Sequence, residues 1–326
     1  MKLSLVLGIL TLILLPGNLQ AQSFPSKPVH VVTPFPAGSS ADVAARIIGK
    51  QLEKIFGQPV IVENKPGAFG EIGVRDVLKS QDGHTVCYCY DGQLTIIPAA
   101  HRVLGRSGPY DPQTDLVPIG MGVKLHFVLV AQKDAPFGTF AELATYARAN
   151  PGKLSVASPH PTGALVAGTL KSVSGLSINI VPYQGEPRAM TDLVGGHVHL
   201  MAATSVGVLG QIGTGQLKLV GAIGAERNPF FPELRSLVEQ GASEFAELPV
   251  SWGGFFAPRG VAPQTVAVFS EALDKALADK DTSAALRGGG ATPFAASPQE
   301  LAGLIARDLG GYLRLMQKTG VKIIGD

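Results

Sequence analysis

Short apolar segments alternate along this chain with stretches whose apolar residues recur every three or four positions. VHVVT (29–33), PVIVEN (59–64), HTVCYCY (84–90), HFVLVAQ (126–132), LSVAS (154–158), INIVPY (178–183), HVHLMAA (197–203) and LKLVGAI (217–223) are rich in β-branched or aromatic residues, and turn residues bound them. That pattern predicts strands. After the first of them, Ala44, Ile48, Leu52 and Ile55 keep helical spacing while Lys50, Glu53 and Lys54 face the other way. Segments 140–150 and 164–174 have the same character. Strands alternating with helices predict an α/β architecture with mainly parallel sheets.

Glycine and small polar residues collect just after these strands: PFPAGSSAD, KPGAFGEIG, DGQ, SPHPTGA and YQGEP. In open α/β sheets, ligands bind beyond the carboxyl ends of strands. Several such loops at one edge point to a single cleft lined by backbone donors. The first, TPFPAGSSADVAAR (33–46), ends a strand and opens a helix, where free N–H groups and the helix dipole favour an anion. Its plainer reading is a βα turn capped by Ser39 or Ser40.

The first 21 residues change the picture. Lys2 precedes the apolar run LSLVLGILTLILL, Pro16 and Gly17 break it, and Leu-Gln-Ala before Gln22 resembles a small-residue cleavage site. This reads as an export signal, too short for a spanning helix of ~18–20 residues. Export places the chain in the periplasm. About 305 residues then remain, enough for one large or two medium domains, and the formal charge of +2 falls to +1 without Lys2. Nothing in it points to nucleic acid or an anionic membrane. Cys87 and Cys89 share one face of a predicted strand with Cα atoms ~7 Å apart, too far for easy bridging, which reads as two buried thiols, with metal or redox use as the alternative.

Three enzyme chemistries leave traces. Gly67, Gly70 and Gly73 follow a strand, but their G-x-x-G-x-x-G spacing lacks the glycine that admits a pyrophosphate. Ser205 in ATSVG resembles a nucleophile elbow, yet none of the seven histidines follows it. His197 and His199 share a strand face and His160 could join them, but without a carboxylate or cysteine in step they read as solvated or hydrogen-bonded surface histidines. No cofactor, metal or catalytic set is expected.

VHVVTPFPAGSSADVAAR, GQPVIVENKPGAFGEIG, the DGHT turn, PYDPQTDLVPI, ELATYARANPGKLSVAS, VPYQGEPRAMTDLVGG and WGGFFAPRGVAP follow one another along the chain. In this order they resemble the Bug-type substrate-binding proteins of tripartite tricarboxylate transporters over essentially the whole mature sequence. The resemblance implies a type II periplasmic-binding-protein fold, with two Rossmann-like lobes around a ligand cleft. It places residues 24–125 plus 252–326 in the first lobe and 126–251 in the second, with the crossings near 125 and 251.

It also implies a monomeric, non-catalytic receptor that captures a small carboxylate and delivers it to membrane transporter subunits. An exported enzyme reusing the fold and a partner of a membrane sensor are the rival readings. By position, the implied ligand-binding residues are Phe35, Pro36, Ala37, Gly38, Ser39 and Ser40 in the first loop. Ala68, Phe69, Gly70 and Asp91 follow, then Ser158, Thr162, Gly163, Tyr183 and Gly185 in the second lobe. The sequence departs from the family at three points: the turn reads Ser-Pro-His-Pro-Thr-Gly, and Asp91 and Ala203 replace the usual residues. A carboxylate at 91 repels an anion unless it is solvated, paired, or meets an amino or hydroxyl group. Asp42 and Arg46 match the family's helix, and a first-turn acid suits the dipole without touching ligand.

Overall fold

The computed structural model describes residues 24–248 and 250–325, so the expected export signal lies outside the described residues. The apolar run Val29–Thr33 forms β1, and the loop after it feeds α1 (Ser40–Phe56), which ends on Gly57 in the left-handed conformation. β2 (Val60–Asn64), a 3-10 turn (Ala68–Gly70), α2 (Glu71–Val77) and β3 (Thr85–Tyr90) follow. A π turn (Gly92–Ile96) then runs into α3 (Ile97–Val103), and β4 (Leu116–Leu125) precedes β5 (Phe127–Gln132). After them come α4 (Phe140–Ala149), β6 (Leu154–Ser158), α5 (Pro161–Ser172), β7 (Ile178–Pro182) and α6 (Glu186–Val194). The chain continues through β8 (Leu200–Thr204), α7 (Ser205–Ile212), β9 (Leu217–Ala222) and β10 (Ser251–Pro258). It ends with α8 (Pro263–Ala278), α9 (Lys280–Gly288), β11 (Ala291–Pro293) and α10 (Pro298–Thr319).

These strands build two sheets, ordered β11-β4-β10-β3-β1-β2 and β7-β6-β8-β5-β9. Each is mixed, which corrects the expectation of mainly parallel sheets. β1 runs parallel to β2 and β3, and β6 parallel to β7 and β8. β10 is antiparallel to β3 and β4, β11 to β4, and β5 to β8 and β9. β5 and β10 open just where the chain passes between sheets, so each enters its sheet from the cleft side, against the direction of the strands that end there. β4 escaped the strand list because proline and two glycines interrupt its apolar pattern. β8 begins at Leu200, since the His197 N–H still donates to Asp192 O in the turn after α6.

Each sheet buries its own apolar layers. Val31, Ile48, Leu52, Tyr88 and Phe255 sit in one core, and Leu129, Val156, Leu165 and Leu200 in another. α10 belongs to both halves: Leu301 and Ile305 pack with Trp252 and Phe256, whereas Leu309, Leu315 and Met316 join the core of the second sheet. The cysteines also depart from expectation. Cys87 and Cys89 are joined as a disulfide, with Cα atoms 5.4 Å apart. β3 is contracted there relative to a fully extended strand, and that brings the two same-face sulfurs together.

Candidate functional site

The first wall of the cleft is the loop after β1. Ser39 caps α1 by accepting the Asp42 N–H at 3.3 Å. The buried Asp42 carboxylate accepts Gly38 N–H, Arg46 Nε and Asn64 Nδ2, each at 2.9 Å, and Asn64 also donates to Phe35 O. Burial pushes this carboxyl up, but those donors outweigh it and hold it below the usual range. Asp42 and Arg46 therefore shape the loop from behind. Gly38 is needed for its φ of +78°; a Cβ there would meet only Pro187 Cγ, at 3.9 Å.

The second loop turns through four successive residues at positive φ, including Ala68 (46°) and Phe69 (52°). Side chains rarely adopt that region. Gln93 holds it there: its Nε2 donates to Phe69 O at 2.8 Å and its Oε1 accepts the Tyr90 N–H. Gly70 leaves the room, since a Cβ would fall 2.7 Å from Gln93 Cγ. Sequence reasoning passed over Gln93 because nothing in its neighbourhood marks a buried glutamine.

Asp91 closes the floor. Its carboxylate accepts from Ser251 Oγ and, at 3.5 Å, from Tyr312 OH, so it ties the end of β3 to β10 and α10. Burial pushes it up to about 7; the Ser251 bond opposes this and nearby Asp308 adds to it.

In the second lobe, Ser158 ends β6 and its carbonyl accepts the Tyr183 N–H. His160 then caps α5: Nδ1 accepts the Gly163 N–H at 2.9 Å and the ring stacks on Phe127 with centroids 5.1 Å apart. The histidine is 8% exposed. Burial pushes it down to about 4, so the ring is neutral. This corrects the reading of His160 as a surface histidine: Pro159 and Pro161 turn it inward. His199 is half-buried and meets Ser155, and no cluster of three metal-ligating side chains occurs among the described residues. The Tyr183 hydroxyl donates to Asp192. Glu186 opens α6, buried, and accepts the Thr204 N–H at 2.9 Å and Thr204 Oγ1 at 3.0 Å. Burial pushes it up to about 7, against the Thr204 bonds. Glu186 and Thr204 were missed because each looks like an ordinary helix-start residue.

The lobes meet at these loops and leave three adjoining spaces. An outer chamber of about 180 Å³ lies between Phe35, Pro36, Ala68, Phe69 and Gly70 on one side and Pro159, Pro161, Tyr183 and Gly185 on the other. An inner chamber of about 20 Å³ is bounded by Ser39, Ser40, Asp91, His160, Thr162, Glu186, Thr204 and Ser251. A groove of about 440 Å³ runs out past Gly38 and Gln211. Of the expected residues, Ala37 is exposed, Ser158 is buried behind the loop, and the Gly163 N–H is spent on His160; these three line none of the spaces. The first residues of α1, α5, α6 and α7 converge on them, so four helix dipoles point their positive ends inward. None of the described lining residues is Lys or Arg. The arrangement attracts a small anion without any cationic side chain.

Known proteins share this architecture. MatC from Rhodopseudomonas palustris, solved with bound malate, is 28% identical with a TM-score of 0.83, covering 90% of this chain and 99% of MatC. R. palustris Rpa4515 with adipate is 27% identical with a TM-score of 0.85, covering 92% of this chain and 99% of the other. BugT of Bordetella pertussis is 30% identical over 306 residues, 93% of this chain and 92% of BugT. The sequence profile of the tripartite tricarboxylate transporter family receptor matches residues 44–321. With that span, and with helix N-termini gathered around a cleft between two mixed α/β lobes, the chain belongs to the tripartite tricarboxylate transporter receptor family.

Proposed function

We propose that this protein is a periplasmic solute receptor that traps a small carboxylate between its lobes and delivers it, unaltered and as a monomer, to the membrane subunits of a tripartite transporter. The observation that carries this reading is the convergence of the α1, α5, α6 and α7 N-termini on chambers with no Lys or Arg. Amides and dipoles suit reversible capture of a carboxylate, and charge-assisted hydrogen bonds are the stronger kind. Similarity to proteins solved with malate and adipate supports the ligand class. The export signal expected in the first 21 residues supports the compartment.

A thermal-shift screen of small carboxylates tests it. A ligand at a hundredfold excess over Kd stabilises the folded state by about 2.7 kcal/mol. The cognate acid should raise Tm and be recovered chemically unchanged after prolonged incubation. Recovery of a converted product would replace the receptor by an enzyme.

A further inference from the structure

The chambers differ sharply in chemistry, and the difference bears on which carboxylate fits. The outer one is walled by Phe35, Pro36, Pro66, Phe69, Pro159 and Pro161. Its volume of about 180 Å³, open to solvent on one side, gives room for the body of one ring, since an apolar cavity of ~150 Å³ accommodates benzene. The inner one, about 20 Å³, has room for little more than a water-sized group. Two carboxylates already stand at its edge from opposite lobes, Asp91 from the end of β3 and Glu186 from the start of α6. Glu186 takes the Thr204 N–H at the start of α7, a position that an incoming second carboxylate would otherwise use. His160 borders both chambers and brings no charge.

Building on the receptor reading, we propose that the ligand is a monocarboxylate with one ring-sized apolar body, and that Glu186 and Asp91 reject di- and tricarboxylates. A single carboxylate is served by the helix N-termini while its body fills the proline-walled chamber. A second carboxylate has three places to go. In the inner chamber it meets Asp91 and Glu186, and in the groove past Gly38 it meets Glu186 again, like charge without a compensating cation; in the outer chamber it lies against apolar walls.

Calorimetric titration of the wild-type protein at pH 8.5, above the range to which burial raises Asp91 and Glu186, tests this with benzoate, phenylacetate and cyclohexanecarboxylate against malate, adipate and citrate, with benzamide as the uncharged control. At least one ring monocarboxylate should bind tenfold or more tighter than every di- and tricarboxylate. Glu186→Gln, which keeps an acceptor for Thr204, should narrow that gap at least tenfold by improving malate or adipate binding. A di- or tricarboxylate binding as tightly as the best ring monocarboxylate overturns this inference and leaves the receptor reading standing. Benzamide binding as tightly as benzoate, or no carboxylate binding at millimolar concentration, overturns both.

Discussion

Gly92 and Pro161 meet across the cleft so closely that a Cβ on Gly92 would stand 2.9 Å from Pro161 Cγ. Gly92 lies at the start of a helical turn with no positive φ, so Ala is tolerated within its own lobe. Gly92→Ala should therefore leave the unliganded protein folded and stable but hinder closure, lowering ligand affinity at least tenfold. Small-angle scattering checks the cause: ligand should shrink the radius of gyration of the wild type and do so less for the variant. Equal compaction and equal affinity would mean that this contact does not limit closure.

Asp42 offers a test of support from outside the chamber. It lines none of the three spaces, yet three donors converge on it. Asp42→Ala strands Gly38 N–H and Asn64, and the expected loss is on the order of 1–3 kcal/mol in stability, together with weaker binding as the first loop loosens. Unchanged affinity in a folded variant would show that the loop holds its shape without this knot.

Asp91 and Glu186, both pushed up to about 7, bind their protons more tightly folded than unfolded. Their contribution to stability is greatest at acid pH and is lost as pH rises through about 7. Asp91→Asn and Glu186→Gln should each raise Tm more at pH 8 than at pH 5. His160, pushed down to about 4, acts in the opposite sense, since the unfolded chain takes up its proton first as pH falls below about 6.5. His160→Asn, which keeps a capping side chain, should gain more at pH 5 than at pH 8. Melting curves of wild type and variants that stay parallel across this range would refute the assignment.

Ala68 is exposed at a φ of 46°, a conformation that disfavours L side chains by ~1–2 kcal/mol. Ala68→Gly removes that strain while adding chain entropy to the unfolded state. The expected result is an unchanged or slightly raised Tm, by up to about 1 kcal/mol in stability. A clear fall in chemical denaturation midpoint would argue that the methyl group makes contacts the loop needs.

Most of the architecture was legible in the sequence because β-branched runs such as VHVVT and LSVAS end at loops whose glycines mark turns. What escaped depends on contacts between distant residues. β4 hides behind its prolines and glycines because its burial comes from β10, far along the chain. The ligand loops were found as loops, but not the groups that fix them: Gln93 reaches Phe69 over 24 residues, and Glu186 reaches Thr204 over 18. His160 was the most misleading. A histidine between two prolines in a polar loop looks solvated, and only the ring of Phe127 reveals that it is enclosed.

The position of β10 in the middle of the first sheet also sets the order in which the protein can be made. The second sheet draws every strand from one uninterrupted stretch, 127–222, although its core is completed only by α10. The first does not: β3 and β4 face a gap between them until Ser251–Pro258 arrives to pair with both. Until that segment is made, β3 and β4 each present an open sheet edge, which is sticky to other chains. The segment that joins these edges also carries Ser251 to the Asp91 floor, so capture of cargo begins only once the strand that seals the sheet is in place.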